Sequence, residues 1–508
     1  MKIVACYNLP CLSPSEKHMP INDLREFIAV LDEQDQLVRI THPVSPHLEV
    51  TEITDRISKA PPSLNKALLF ENVSGYDAPI LINAFGNRQR MSLALGVADL
   101  EELNLNLRQV IDPRLPKGIG EMLSRGGDLF NVLRSIGLGP KKVRRGHAPV
   151  QEIIENKQPS IEFLPILQCW PKDGGRFITL PQVITRDPQS QARNVGMYRL
   201  QVVDERTLLV HWQRHKGGAE HERVARVLSQ ERIPAAIVLG GDPASMWCAS
   251  APLPPDIDEY LLAGYLRGAP VEFVDCISQP LEVPANAEIV IEGYVDPGHH
   301  GPEGPFGDHT GYYTPIEPFP FFHVTAVTHR RGPIYPTTIV GIPPMEDVWM
   351  GKATERLFLP LIRLFLPEIV DVNMPAEGIF HNLVLVSIKK RYPGHARKVI
   401  AGLWGLGLLA LAKAIVIVDD WVDVQNLSQA AWQALGNVDW SRDLIRIDGP
   451  VDHLDHASYQ HSFGGKIGID ATAKLVEEGY QRSWPEVISM DPEVKKRIDE
   501  IWEQLGID

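Results

Sequence analysis

Hydrophobic and polar residues change their spacing along the chain, and the first hundred residues combine two kinds of spacing. The stretch INDLREFIAVLDEQDQL repeats apolar residues every three to four positions and predicts an amphipathic helix, which Asn22 or Asp23 could cap. The short apolar runs ALLFENV and PILINAF predict strands. Residues 20–125 are therefore expected to form an N-terminal α/β domain.

The middle of the chain, up to residue 330, alternates short β-type runs with turn residues, as in TLLVHWQRH, AEIVIEGYV and FFHVTAVTHR. This pattern predicts an antiparallel sheet or a partly open barrel, with one helix near DIDEYLLAGYLRG. The Gly-rich, basic stretch GLGPKKVRRGHAP is expected to be a connection before that sheet. The central domain is assigned to residues 126–330.

Beyond residue 330 the strand patterns HNLVLVSIKK and AIVIVDD alternate with the helical pattern TERLFLPLIRLFL. This alternation predicts a second α/β domain over residues 331–508. The most apolar stretch, residues 399–418, contains Lys413 and several Gly residues. It is interpreted as a core helix running into a buried strand, and no membrane-spanning helix is expected.

The composition narrows the class of protein. A chain of 508 residues is too long for one hydrophobic core and is typical of two or three domains. Its 50 basic and 64 acidic side chains leave a net charge of −14, which argues against a nucleic-acid-binding protein because those present a basic surface. Five Cys residues without a C-x-x-C pair favour a reducing compartment. The start MKIVACYNLPCL is a poor signal peptide, so a cytoplasmic location is expected.

Polar residues interrupt two predicted strands in RNVGMYRLQVVDERTLLVHWQRHKGGAEH, residues 193–221. The pattern predicts a strand, a turn at Asp204-Glu205, a second strand and a Gly-Gly turn. Alternation along each strand places two sets of side chains on common faces: Asn194, Gly196, Tyr198 and Leu200, and then His211, Gln213 and His215. Arg199 would point the other way or lie at a bulge. Because Asn is uncommon in strands, Asn194 is either a turn cap or a metal ligand, and an ordinary hairpin with a solvated polar face is the alternative.

The stretch APLPPDIDEYLLAGYLRG, residues 251–268, has two interpretations. Asp256 could cap a helix with Glu259 at its third position, which is a capping-box arrangement. Alternatively, Glu259 directs its carboxylate into a site. Amide oxygen, imidazole nitrogen and carboxylate oxygen together suit Mn²⁺ or Mg²⁺ better than a structural zinc ion.

The stretch GPEGPFGDHTGYYTP, residues 301–315, places Glu303 and Asp308 five positions apart within Gly- and Pro-rich backbone, and His309 follows. Ordinary turn chemistry would account for these residue types. If the two carboxyls lie close together, however, they cannot both ionise easily and one pKa rises. A carboxyl with a raised pKa is a proton donor at neutral pH.

The motifs NVGMYRLQ, HWQRHKGG, DEYLLAGYLRG and EGPFGDHTGYY, followed by VSIKKRYPGHARKV and FGGKIGIDAT, resemble those of the UbiD-type decarboxylases. The founding members of that family are polyprenyl-4-hydroxybenzoate carboxy-lyases, and the resemblance covers nearly the whole chain from about residue 20. It implies a central flavin-reductase-like split β-barrel and a C-terminal α/β domain that helps the protein to form a homo-oligomer, a dimer or a hexamer. It also implies prenylated FMN as cofactor with a divalent metal, usually Mn²⁺ and otherwise Mg²⁺, and often K⁺.

The resemblance also assigns roles to residues. Asn194, His215 and Glu259 would hold the metal, and Arg199, Glu303 and Asp308 would form the catalytic set with Asp308 as proton donor. The prenyl-flavin would be lined by Met197, Tyr198, Arg199, His211, Trp212, Gln213, Lys216 and Gly217. Lys390 would reach the cofactor phosphate.

The expected reaction is the non-oxidative, reversible decarboxylation of an aromatic or α,β-unsaturated acid, with 3-polyprenyl-4-hydroxybenzoate in quinone biosynthesis as the first candidate. Members of the quinone pathway often read Arg-Trp-Leu where this chain has His211-Trp212-Gln213, which removes a permanent positive charge and adds a polar group. Dihydroxynaphthoate and phenolic or heteroaromatic acids are therefore alternative substrates.

Two functions of a different class remain open from the residues alone: a non-catalytic flavin-binding protein and a metal-dependent hydrolase. Binding of flavin without turnover would require no acid pair, so the set of Arg199, Glu303 and Asp308 favours the decarboxylase. The expected partners are a small carboxylic acid, a flavin prenyltransferase that supplies the cofactor and, for a prenylated substrate, the membrane surface.

Overall fold

The computed structural model describes residues 20–111, 141–213, 216–254 and 257–506. The first elements are α1 (Leu24–Glu33), β1 (Leu37–Ile40), α2 (Glu49–Ser58), β2 (Ala67–Phe70), β3 (Ile80–Ile82), α3 (Arg88–Ala94) and α4 (Glu101–Ile111). Strands β1 to β3 form a sheet whose fourth strand, β16 (Tyr335–Pro336), comes from far along the chain and lies parallel to β3. Of the two predicted caps, Asp23 is the one that begins α1, because its carboxylate accepts a hydrogen bond from the Glu26 N–H at 2.8 Å.

The middle of the chain forms a nine-stranded antiparallel sheet, the central sheet. Its strands are β5 (Ile153–Glu155), β6 (Phe177–Ile178), β7 (Gln182–Arg186), β8 (Arg193–Gly196), β9 (Leu200–Asp204), β10 (Thr207–Val210), β11 (Ile233–Leu239), β14 (Ile289–Glu303) and β15 (Glu317–His329). The strand order is β6-β9-β10-β15-β14-β11-β7-β8, with β5 added beside β15. The predicted antiparallel sheet is confirmed. Among the described strands the pairing is an open path, and no closed barrel is seen.

Three helices accompany the central sheet in the described residues, whereas the sequence pattern predicted one. They are α5 (Gly217–Val227), α6 (Pro243–Cys248) and α7 (Glu259–Arg267), and a small side sheet contains β4 (Lys141–Lys142), β12 (Glu272–Asp275) and β13 (Glu282–Pro284). The predicted Gly-Gly turn is wrong, because Gly217 and Gly218 form the first turn of α5. The predicted turn at Asp204-Glu205 is confirmed by the antiparallel register of β9 and β10, whereas the single strand predicted before that turn is wrong, because β8 ends at Gly196 and β9 begins at Leu200.

The last part of the chain alternates helices and strands as predicted. The elements are α8 (Glu346–Phe365), β17 (Ile369–Asn373), β18 (Leu383–Ile388), α9 (His395–Trp404), β19 (Ala414–Asp419), α10 (Leu427–Asn437), β20 (Leu444–Pro450), β21 (Phe463–Asp470) and α11 (Pro492–Ile501). Strands in the order β17-β18-β19-β21-β20 form the C-terminal sheet, in which β18, β19 and β21 are parallel. In the apolar stretch 399–418 the helix α9 ends at Trp404 and β19 follows. Within the described ranges, no helix has the length and apolar character needed to cross a membrane.

The central sheet is covered on both faces, which explains why a strand such as β11 is apolar along its whole length. On β11, Ala235, Ile237 and Leu239 belong to one buried cluster, whereas Ala236 and Val238 belong to another. Alternate residues of a strand point to opposite faces, so each face of the sheet packs against its own layer. The sheet is thus packed between two layers, and the candidate site is built where the ends of four of its neighbouring strands lie side by side.

Candidate active site

Four neighbouring strands of the central sheet carry polar residues at the ends that lie side by side. Arg199 immediately precedes β9, His211 follows β10, Glu317 begins β15 and Glu303 ends β14. Because these strands are adjacent and antiparallel, the start of one lies beside the end of the next. The backbone N–H of His211 donates to the Arg199 carbonyl at 3.1 Å, and Glu303 is the cross-strand neighbour of Glu317.

Arg199 joins the two predicted acids. Its Nε donates to Oε1 of Glu303 at 2.6 Å and its Nη2 to Oε2 at 3.0 Å, while Nη1 donates to Oδ2 of Asp308. The guanidinium also lies over the ring of Phe306, with 4.6 Å from Cζ to the ring centroid. The side chains of Glu303 and Asp308 are only 1% and 9% exposed, so the three charges are nearly removed from water.

The loop between Glu303 and Asp308 is held by side chains from elsewhere in the sheet. Gly304 has φ +102°, a conformation that glycine adopts readily, and its N–H donates to Gln201 Oε1 at 2.7 Å. The N–H of Gly307 donates to Oδ1 of Asp173 at 2.8 Å. These bonds fix the loop so that both carboxylates face Arg199.

The protonation state predicted for the acid pair is wrong for this arrangement. Burial opposes the charge of Glu303, but the His211 hydrogen bond and the Arg199 guanidinium outweigh it and lower its pKa to about 2. Burial likewise opposes the charge of Asp308, yet the His309 hydrogen bond and Arg199 hold its pKa well below the usual range. The expected increase would require two carboxylates facing each other, whereas here a cation lies between them.

His309 holds a proton next to Asp308. Its Nδ1 lies 2.8 Å from Oδ1 of Asp308, and its Nε2 lies 3.2 Å from Nε2 of His381. Burial alone would lower the pKa of His309, but the hydrogen bond to Asp308 and nearby carboxylates raise it to about 9. Burial and the charge of His309 lower the pKa of His381 to about 4. The pair therefore consists of one charged and one neutral imidazole at neutral pH.

His381 connects this pair to a cavity between the central and C-terminal sheets, which we call the cleft. The cleft has a volume of about 290 Å³ and is lined by Thr310 and Tyr312 on one side and by His381, Lys413 and Asp452 on the other. His381 was not predicted as a site residue, because it lies 72 residues from His309 and begins a stretch, HNLVLVSIKK, that shows only a strand pattern. Asp347, whose pKa burial raises to about 7, was also missed.

His211 supports Glu303 from the opposite side of Arg199. Its Nδ1 lies 3.1 Å from Oε2 of Glu303, and its ring contacts Phe319 with centroids 4.1 Å apart. Burial and the charge of Arg199 lower the pKa of His211 below its usual value. The bond to Glu303 is therefore best described as a neutral imidazole donating its Nδ1–H to a carboxylate.

Two of the three predicted metal ligands lie near each other. Asn194 is in β8, and the backbone N–H of the next residue, Val195, donates to Oε2 of Glu259 at 2.9 Å. His215 lies outside the described residues. Burial raises the pKa of Glu259 to about 7. A buried carboxylate beside an amide oxygen is a set that a divalent cation would stabilise, so these two residues fit the implied metal.

The predicted cap of α7 is wrong. The helix begins at Glu259 and is capped by Asp258, whose carboxylate accepts a hydrogen bond from the Tyr260 N–H at 3.0 Å. Asp256 lies outside the described residues. Glu259 is thus the first helical residue rather than the third, and its side chain reaches back to β8 instead of completing a capping box.

The predicted cofactor residues lie around the first turn of α5. Tyr198 and Trp212 stack with ring planes 4° apart and centroids 5.8 Å apart, and the N–H of Gly218 donates to the Tyr198 hydroxyl at 3.1 Å. An added Cβ on Gly217 would lie 1.9 Å from Oδ1 of Asn194, so any larger residue there would displace the Asn194 amide. Trp212 Nε1 and His211 Nε2 are buried without a hydrogen-bond partner among the described residues, and a flavin would fit them by offering an acceptor oxygen to the indole N–H and an O–H or N–H donor to the imidazole nitrogen.

The other predicted cofactor residues divide into two groups. The backbone N–H of Met197 donates to the Ala249 carbonyl at 2.8 Å, beside the end of α6, and that of Lys216 donates to the Gln213 carbonyl at 2.9 Å, in the turn that precedes α5. Desolvation lowers the pKa of the Lys216 ammonium. Lys390 is not part of this group, because its ammonium donates to the Ala473 carbonyl at 3.0 Å and to Glu478 at 2.6 Å.

Three family models match most of the chain. They describe the N-terminal domain, the Rift-related domain and the C-terminal domain of 3-octaprenyl-4-hydroxybenzoate carboxy-lyase, and they match residues 28–105, 141–343 and 348–471. An uncharacterized protein of Aquifex aeolicus is 54% identical over 96% of this chain and 99% of its own length. An uncharacterized protein of Archaeoglobus fulgidus is 49% identical over 96% and 99%.

Solved structures of similar proteins extend over nearly the full length of the chain. The UbiD-class enzyme HmfF of Pelotomaculum thermopropionicum, in complex with FMN, is 29% identical with a TM-score of 0.77, over 93% of this chain and 98% of that one. The vanillic acid decarboxylase of Sedimentibacter hydroxybenzoicus in its closed form is 27% identical with a TM-score of 0.83, over 96% and 99%. Its open form has a TM-score of 0.78, at 26% identity over 96% and 100%.

Proposed function

The chain belongs to the UbiD family of aromatic-acid carboxy-lyases, and on this premise we propose that it decarboxylates its substrate with prenylated FMN and a divalent metal, Mn²⁺ or Mg²⁺. The observation that carries the proposal is the buried Arg199 that joins Glu303 and Asp308. A storage protein for flavin would have no use for two buried acids held on one guanidinium.

The metal and the flavin each have a supporting observation. Asn194 and Glu259 would hold the metal together with His215, and the stacked Tyr198 and Trp212 would lie against the flavin. When bound, prenylated FMN supplies the electron sink that accepts the electron pair left on carbon as CO₂ departs. A flavin prenyltransferase that makes the cofactor, a K⁺ ion, a homo-oligomer and a split-barrel closure of the central sheet belong to the same proposal. So does a division into domains at residues 20–125, 126–330 and 331–508, which the family-model boundaries support.

The reaction consumes one proton per turnover, since a carboxylate and a proton become a C–H bond and CO₂. Asp308 gives that proton to the substrate carbon. Because its low pKa leaves Asp308 ionised at rest, it must first take up the proton that it transfers, and His309 is the proton source that lies within hydrogen-bond distance. His381 then joins His309 to the cleft, from which solvent protons return.

The substrate proposal has two candidates. The family description supports 3-polyprenyl-4-hydroxybenzoate. A compact hydroxylated aromatic acid is the second candidate, and it is favoured by the polar lining of the cleft, which includes His381, Lys413 and Asp452. Tyr312 at the mouth of the cleft would then lie against the aromatic ring rather than against a prenyl tail.

The Asp308→Asn variant tests the role of Asp308. The amide keeps the size of the side chain and a hydrogen-bond acceptor for Arg199, but it cannot transfer a proton. In protein produced together with a flavin prenyltransferase, we expect flavin absorbance and metal content to be unchanged. Release of CO₂ from a panel of aromatic acids, and exchange of ring protons with D₂O, should fall by about 10²–10⁴-fold.

The matched variant is Glu259→Ala, which should instead lose metal and flavin together. Wild-type turnover by Asp308→Asn would show that Asp308 is not the proton donor. Full flavin and metal content in Glu259→Ala would remove Glu259 from the metal site. Wild-type protein that carries prenylated FMN and releases CO₂ from none of the acids would contradict the proposed function.

A further inference from the structure

Two histidines within a loop of the C-terminal sheet lie beside a glutamate of the central sheet. Glu317 begins β15, and His453 and His461 lie near the two ends of the loop 451–462 that joins β20 to β21. Nε2 of His453 lies 2.9 Å from Oε2 of Glu317, and Nε2 of His461 lies 3.7 Å from Oε1 of the same carboxylate. One carboxylate thus faces two imidazoles.

These three side chains are spaced like the ligands of one metal ion. A ligand atom from each lies within 4.8 Å of the other two, and the two imidazole centroids are 4.1 Å apart. A tetrahedral Zn²⁺ with bonds of about 2 Å holds its ligand atoms about 3–3.5 Å apart. Small side-chain rotations would therefore bring this set to coordination distance.

We propose that Glu317, His453 and His461 bind Zn²⁺ or a similar divalent transition-metal ion, which joins the loop 451–462 to β15. Two imidazole nitrogens and one carboxylate oxygen are a ligand set that Zn²⁺ uses with a water in the fourth position. Two nitrogen ligands disfavour Ca²⁺ and Mg²⁺, which prefer oxygen. The proposed site is separate from that of Asn194 and Glu259, because its ligands come from other elements.

The burial of the set suits an exchangeable ion. The His453 side chain is 15% exposed and that of Glu317 is 28% exposed, whereas that of His461 is 48% exposed. The side chains of His453 and Glu317 are buried enough for metal binding to be favourable. The third lies at the surface, so a cation has a direct route from solvent.

The position of the site connects it to the candidate active site. The ring of His453 lies edge-on to His211, with centroids 6.3 Å apart, and His211 contacts Glu303. The same loop contributes Asp452, Asp455 and His456 to the lining of the cleft. A bound cation would therefore hold one wall of the cleft against the edge of the central sheet that carries Glu303.

Zinc titration of untagged, metal-free protein tests the proposal. We expect the wild type to bind one more Zn²⁺ per chain than Glu317→Gln and His461→Gln, or to bind it at least about 100-fold more tightly. His42→Gln is the matched control, because His42 is exposed in the N-terminal part of the chain and should leave zinc binding unchanged. Co²⁺ should give the wild type and the control a visible tetrahedral absorption that both ligand variants lack.

Equal zinc stoichiometry and affinity in all four proteins would overturn the proposal and leave a carboxylate that is hydrogen-bonded to His453 and merely close to His461. Circular dichroism checks folding, and the half-exposed His461 makes His461→Gln the variant whose fold is least at risk. Titration without flavin or substrate keeps the result independent of the decarboxylase proposal. Missing zinc in an active enzyme overturns this inference alone, whereas a zinc-binding chain without decarboxylation overturns the proposed function alone.

Discussion

Replacement of His309 by Gln tests whether a charged imidazole is held beside Asp308. Glutamine can still donate a hydrogen bond to the carboxylate, but it carries neither charge nor a transferable proton. The His309 side chain is 14% exposed, and its pKa is raised from 6.5 to about 9 by the Asp308 hydrogen bond together with the charges of Asp308, Asp347 and Asp452. That increase corresponds to about 3 kcal/mol of stabilisation of the folded protein.

The sign of the pH dependence follows from the direction of this shift. A raised pKa means that the folded protein binds the proton more tightly than the unfolded chain does. The stabilisation is complete below pH 6.5 and is lost as the pH rises through about 9. Asp308 itself does not titrate in this interval, because its pKa is lowered.

Scanning calorimetry of wild type and His309→Gln at about pH 6 and about pH 10 measures the effect. At the lower pH the variant should melt about 6–12 °C below the wild type, as expected for about 3 kcal/mol in domains of this size. At the higher pH most of the gap should disappear. Asp347, whose pKa is raised to about 7 by burial, titrates in the same interval, so the comparison is repeated in an Asp347→Asn background.

A gap in melting temperature that is equal at both pH values would refute the charged His309. The activity of the same variant tests the relay separately. If His309 supplies protons to Asp308, kcat of the variant falls and the dependence of kcat on pH near 9 disappears, whereas KM changes little.

Two further changes test how the site is held. Arg199→Lys should lower kcat/KM for CO₂ release by at least about 10²-fold, because an ammonium cannot bond both oxygens of Glu303 and also reach Asp308. Activity close to that of the wild type would exclude the bridging role of Arg199. Gly217→Ala should lose metal and flavin, measured by metal analysis and absorbance per chain, because the new Cβ would displace the Asn194 amide. Gly436→Ala, at a helical position with no atom within 4 Å of the new Cβ, is its control, and equal cofactor content in both variants would contradict the argument.

Much of the candidate site could be predicted because its motifs are local. Glu303, Asp308 and the restraining glycines lie within one short stretch, and Arg199 and His211 lie at the ends of strands whose apolar pattern is clear. The order of those stretches also predicted the family, which the three family models confirm. The first turn of α5 was mistaken because two adjacent glycines favour a turn, whereas here their small size allows the helix to pack against Asn194 and Trp212.

The sequence by itself determined the alternation of helices and strands, the antiparallel central sheet and the residue types at its edge, since spacing over about ten residues encodes these features. Only the tertiary structure decided the charge of those residues. Arg199 lies 104 positions from Glu303, and His381 lies 72 positions from His309. A pKa depends on burial and on charges a few ångströms away, and folding alone brings such distant positions together. For that reason two carboxyls that seemed to compete for one proton are both ionised, and the proton resides on a histidine.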